Sequence, residues 1–129
     1  MATHRYVNQH DDRDGVYYSD AVDAAGTLYV SGCMPETETD DVEAQVTEAL
    51  ASVIAMVELA GYTVEDLAKL TIYLTDMADV PALTSARAAL LGSARPATTT
   101  VAVASLYRPW MRVEIDAVAV RTAPSPETT

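Results

Sequence analysis

The sequence predicts an α+β fold in which a mixed six-stranded sheet carries two helices on one of its faces, and three observations predict it. Residues 40 to 61, "DDVEAQVTEALASVIAMVELAG", repeat apolar side chains at three- and four-residue steps, the period of an amphipathic helix. The segments "AKLTIYLTD" and "MRVEIDAVAV" instead alternate with period two, as strands with two unlike faces do. Six strand candidates accompany only two helical ones, an α+β balance.

Taken in chain order, strands are expected at Arg5 to Asn8, Val16 to Val22 and Thr27 to Ser31, each rich in β-branched or aromatic residues. The long helix follows, with Asp40 as N-cap, Glu43 three residues on in the manner of a capping box, and Gly61 in the left-handed position beyond its end. In the strand Ala68 to Thr75, Leu70, Ile72 and Leu74 share one face; Lys69, Thr71, Tyr73 and Thr75 share the other. A second helix is predicted over Val80 to Leu91, capped by Asp79, with Leu83, Ala86 and Leu90 inward and Gly92 ending it. The strand Ala97 to Ser105 puts Thr98 and Thr100 on one face and Thr99 on the other, and the last strand runs from Arg112 to Arg121. Both helices cover one sheet face, so the other, which carries Val, Ile and Tyr, is expected to be covered by further copies of the chain. Residues 1 to 121 form one domain, and "TAPSPETT" at 122 to 129 reads as a disordered tail.

Composition narrows the function. Eight basic against nineteen acidic residues leave a net charge of −11, which repels a phosphate backbone, so nucleic acid is not the expected partner. No apolar run approaches the roughly 18–20 residues of a membrane span, and Met1 to Asp14 has no apolar signal-peptide core; a cytoplasmic protein with no membrane partner is expected. One cysteine forms no internal disulfide, and no His or Cys pair has zinc-ligand spacing, so neither a disulfide-stapled nor a metal-built fold is expected.

Nucleotide-binding, zinc-protease and hydrolase-elbow motifs are absent. His4 and His10 read as solvated or strand-edge residues, and Cys33, after "YVSG", as a buried structural thiol. Arg108 and Arg112 flank a turn and read as solvent-facing. Glu114 carries more information: it stands mid-strand among apolar neighbours, with Val113, Ile115, Ala117 and Ala119 on the opposite face. Such a carboxylate is either a general acid or base whose pKa desolvation raises, or an edge or subunit-contact glutamate bonded to backbone.

The order of "GVYYSDAVDAAGTLYVSGCMP", "VEAQVTEALASVIAMVELAGYTVEDLAKLTIYLTDMADV", "RPATTTVAVASL" and "VEIDAVAV" resembles the RidA family, also called YjgF/YER057c/UK114, over about residues 15 to 121. That resemblance implies a chorismate-mutase-like fold assembled as a homotrimer, with a small-molecule cleft between subunits. It also implies cofactor-free hydrolysis of 2-imine and 2-enamine acids to 2-oxo acids and ammonia. Carried over residue by residue, the catalytic positions are Glu114, which positions water, and Tyr18 of the Y-S-x-A motif; Ser31, Gly32 and Cys33 belong to S-G-x-x-P and contribute backbone to substrate binding. The arginine of P-A-R-S/T, which binds the substrate carboxylate in the family, falls on Thr98, a residue with one hydroxyl and no charge. Thr98 and Thr100 are then candidate substrate-binding residues, and Arg87 and Arg95 are the cations nearest in sequence that could lend a charge.

Two functions follow from that departure. The first is an enzyme of this kind acting on an imine, enamine or related carbonyl compound without a carboxylate at the usual position. The second is a trimer that binds small molecules or partners and has lost deaminase activity. The ribonuclease label sometimes attached to the family fits poorly with a charge of −11.

Overall fold

A computed structural model describes residues 4–10 and 14–122. Most of the acidic "DDRD" run and of the predicted tail lie outside the described residues. Six strands and two helices follow one another as β1 (Arg5–Val7), β2 (Ala21–Ala24), β3 (Thr27–Cys33), α1 (Val42–Leu59), β4 (Leu67–Leu74), α2 (Ala82–Leu90), β5 (Ala97–Ala102) and β6 (Val113–Val120). They form one sheet in the order β1-β2-β3-β6-β4-β5. Every pair is antiparallel except β4 with β5. That parallel step is made through α2, the crossover such a connection requires.

The alternation in the sequence decides which face closes. Val113, Ile115, Ala117 and Ala119 of β6 and Leu70, Ile72 and Leu74 of β4 are buried, and they meet Val46, Leu50, Val53 and Val57 of α1 in one core. α1 packs over β3 and β6, and α2 packs on α1. The two helices therefore leave the other face open, with Tyr29 53% exposed and Val101 and Val120 also exposed.

Several local expectations shift. Strand β2 begins at Ala21 instead of Val16; Val16, Tyr17 and Tyr18 have strand composition but form an exposed connection. α1 starts one residue later than predicted, because it is the Asp41 carboxylate that accepts from the Ala44 amide, at 3.2 Å. Gly61, at φ +87°, does take the left-handed position that ends it. Asp79 caps no helix: it is buried in a short 3-10 turn, and Arg112 donates to it in bidentate fashion at 2.9 and 2.5 Å. Arg112 is accordingly not a solvent-facing residue but the anchor of the start of β6. Thr122, where the tail was expected to begin, donates through its amide and hydroxyl to Asp66 at 3.3 and 3.2 Å.

Gln45 is fully buried on α1. Its amide donates to the carbonyls of Thr39 and Trp110 at 2.7 and 3.0 Å, and its oxygen accepts from the Arg112 amide at 2.8 Å. One side chain thus satisfies backbone on both the loop before α1 and the loop before β6, the two loops that frame the site.

Candidate functional site

The site begins with an irregularity in β3. Val30 faces Ala117 of β6, but Cys33 faces Ile115, so three steps along β3 match two along β6. That is a β-bulge, and it inverts the pleat: Cys33 joins the core side and Gly32 is left exposed beside Glu114. A Cβ on Gly32 would lie 2.3 Å from Glu114 Oε2 and 2.7 Å from its Cδ. The carboxyl group of Glu114 occupies the space that every other residue type would fill.

Burial and the neighbouring Asp116 carboxylate raise the Glu114 pKa above the ordinary glutamate value. Asp116 lies two residues along on the same face, and the Tyr73 hydroxyl donates to it at 2.8 Å from β4. Tyr73 itself stands opposite Glu114 in the β4–β6 register. The Cys33 thiol is pushed up to about 12, first by burial and then by Asp20, Glu114 and Asp116. At neutral pH it is a protonated thiol, which makes it no nucleophile.

Beside the Gly32 end of β3 opens a cavity of about 440 Å³. Tyr18, Ser31, Gly32 and Cys33 all line it. The Ser31 hydroxyl donates to the Ser19 carbonyl at 2.7 Å and its amide to the Asp20 carbonyl at 2.9 Å, which holds the Tyr18 loop against β3. From the far side the Glu48 carboxylate of α1 accepts from the Glu36 and Thr37 amides and the Thr37 hydroxyl, pinning the loop after Pro35. Those bonds, that from the Thr37 amide foremost, hold the Glu48 pKa below its ordinary value.

The structure thus gathers Tyr18, Ser31, Gly32 and Cys33 around one cavity, with Glu114 against its Gly32 edge. It does not bring Thr98, Thr100 or Arg87 there within one chain. Thr98 and Thr100 are aligned with Leu70 and Ile72, so they share the helix-side parity, whereas Thr99 takes the open face and accepts from Lys69 Nζ at 2.6 Å. β5 is the sheet edge, two strands from Glu114's own. The Thr98 hydroxyl donates to the Pro96 carbonyl at 3.0 Å. Arg87 is half-buried in the last turn of α2, and Arg95 folds back to donate to the Gly92 and Ala94 carbonyls at 2.8 Å each.

Sequence reasoning missed the other wall of the cavity: Met34, Met56, Met111, Trp110 and Arg108, with His10 at its margin. The signal available was Trp110, the chain's one tryptophan, next to Pro109 in a loop. Among the described residues no group of His, Cys, Asp or Glu could hold a metal ion, and no helix is long and apolar enough to cross a membrane.

A two-helix, six-stranded domain whose bulged third strand makes room for a glutamate of the last strand defines the class of this protein. The profile of the Endoribonuclease L-PSP family matches residues 14–121, and the chain belongs to that family, whose structural relatives are named YjgF/YER057c/UK114. A RutC family protein of Pyrococcus horikoshii is 32% identical over 110 residues, 81% of this chain and 86% of the relative. The 2-iminobutanoate/2-iminopropanoate deaminase of Salmonella typhimurium is 33% identical over 112 residues, 81% of this chain and 87% of that enzyme. The crystal structure of a YjgF/YER057c/UK114 family member from Mycobacterium tuberculosis superposes with a TM-score of 0.81 at 30% identity, covering 92% of this chain and 99% of that one.

Proposed function

We propose that this protein hydrolyses a small imine or enamine to the carbonyl compound and ammonia, in a cleft completed by neighbouring copies of the chain. The observation that carries the reading is the Glu114 carboxyl lodged over Gly32, its pKa raised above the ordinary glutamate value by burial and by Asp116, the direction a proton-transferring carboxyl needs. As water attacks the C=N carbon, the Glu114 carboxylate takes its proton and the C=N electron pair moves to nitrogen. That proton passes to the nitrogen to give the carbinolamine, whose hydroxyl proton the carboxylate then carries to the same nitrogen as C=O forms and the C–N bond breaks, releasing NH3. An enamine first takes a proton at carbon to become the imine. Tyr18 and the backbone of Ser31 to Cys33 hold the substrate. The relatives named 2-iminobutanoate/2-iminopropanoate deaminase support this chemistry.

The open face of the sheet, with Tyr29, Val101 and Val120 exposed, supports assembly as a homotrimer, which would also allow Thr98 and Thr100 of one copy to approach Glu114 of another. A cytoplasmic protein of this kind would need no cofactor. Thr98 argues that the substrate has no carboxylate where β5 would hold it. The same residue favours a second reading, a trimer that binds small molecules without turning them over.

Imines generated in situ by an amino-acid or amine oxidase provide the test, with ammonia and carbonyl release followed with and without the protein. The expected result is acceleration by the wild type that falls by about 10²–10⁴ in Glu114→Gln, the usual weight of general acid–base catalysis. Thr98→Arg is expected to raise activity on 2-imino acids. No acceleration of any imine leaves the binding trimer, and activity untouched by Glu114→Gln removes the assigned base.

A further inference from the structure

The wall of the cavity opposite β3 has a composition of its own. Met34 follows the bulge, Met56 comes from α1, and Trp110 and Met111 come from the loop before β6. Three thioethers and an indole make an adaptable apolar surface, and a cavity of about 440 Å³ far exceeds what a skeleton the size of pyruvate fills. The same loop brings Arg108, the one Arg or Lys among the described lining residues. Its guanidinium stacks over the Tyr107 ring at 4.7 Å, which restrains its plane, and among the described residues no carboxylate pairs with it. Asp20 and Glu36 also line the cavity, so an anion entering it has Arg108 as its one permanently charged partner.

We propose that this cavity binds a small carboxylate carrying a branched or aromatic apolar group, with the carboxylate on Arg108 and the apolar group against Trp110, Met34, Met56 and Met111. Arg108 stands on the β5–β6 loop, ten residues beyond Thr98 of the edge strand, so the anion is recognised from a different element. Calling this ligand the substrate, a branched or aromatic 2-imino acid, rests on the imine-hydrolysis reading; the binding claim rests on the cavity.

Because Trp110 is the only tryptophan, its fluorescence reports occupancy directly. The full-length protein is titrated with 4-methyl-2-oxopentanoate, with pyruvate, which lacks the branched group, and with 4-methyl-2-pentanone, which lacks the carboxylate; saturation-transfer NMR provides a second measurement. Saturable binding of the first, at least about tenfold tighter than either of the others, is expected. Arg108→Gln, at an exposed position, should weaken the oxo acid about tenfold and leave the ketone unchanged. Equal affinity for pyruvate, indifference to Arg108→Gln, or no saturable change overturns the proposal. Binding with these dependences in a protein that hydrolyses no imine supports the site and overturns only the catalytic reading. Hydrolysis whose kcat/KM ignores both Arg108 and the substrate's side chain overturns the site and leaves the catalysis standing.

Discussion

The two faces of β6 lie on the same eight residues and do opposite work. Val113, Ile115, Ala117 and Ala119 are at most 2% exposed and belong to the apolar core. Glu114 and Asp116, between them, are half-buried and share a face with Tyr73, and Glu114 presses against Gly32. The closed face tolerates any set of side chains of the right volume. The open face keeps carboxylates at a cost in desolvation, which is what a chemical site requires and a scaffold avoids. Stability and the proposed chemistry should thus be separable by single substitutions one residue apart.

The largest effect is expected on the closed face. Ile115→Ala should cost about 2–5 kcal/mol in chemical denaturation, as large-to-small core changes do, with activity per folded molecule kept. Gly32→Ala tests the open face: the new Cβ would collide with the Glu114 carboxyl, so imine hydrolysis should fall about 10²-fold, the order that misplacing a catalytic group by an ångström costs. A denaturation midpoint that drops as far as in Ile115→Ala would merge the two faces after all.

Smaller effects follow from charge. Asp116→Asn removes the nearer negative charge, so the Glu114 pKa should fall; the acid limb of the pH–rate profile and the Glu114 carboxyl titration in NMR should both move to lower pH. Glu114→Gln should raise stability at neutral pH. The folded protein binds the Glu114 proton more tightly than the unfolded chain, so the wild type is relatively destabilised as pH rises from the ordinary glutamate value through the raised one, and the gain in the variant should vanish below that window. At the edge of the same face, Thr99→Val deletes the exposed bond from Lys69 and should change stability by less than about 0.5 kcal/mol.

What could be read from the sequence follows the same division. The closed face was legible because its signal is periodic: β4, β6 and α1 all appear as apolar spacing, and their buried residues are those the spacing selects. β2 was misplaced because Val16, Tyr17 and Tyr18 have strand composition while lying exposed in a connection, and composition without alternation does not separate the two. The Arg112–Asp79 pair joins residues 33 apart, and Gln45 bonds to Arg112 across 67, so neither leaves any local mark. At the site, Glu114 stood out as a carboxylate in an apolar strand, and Tyr18 and Ser31 to Cys33 through their motifs. Arg108 and Trp110 did not, since the cavity they line exists only once three separate loops have met.

The bulge between Val30 and Cys33 works as a shift of reading frame within the pleat. Upstream of it, even-numbered residues of β3 face the core; downstream, the odd-numbered Cys33 does. Losing Gly32 would restore a regular ladder and leave the sheet paired, yet it would set the Ser31 side chain toward Glu114 in the glycine's place. Such a chain would keep its strand order and lose the space that its acid occupies.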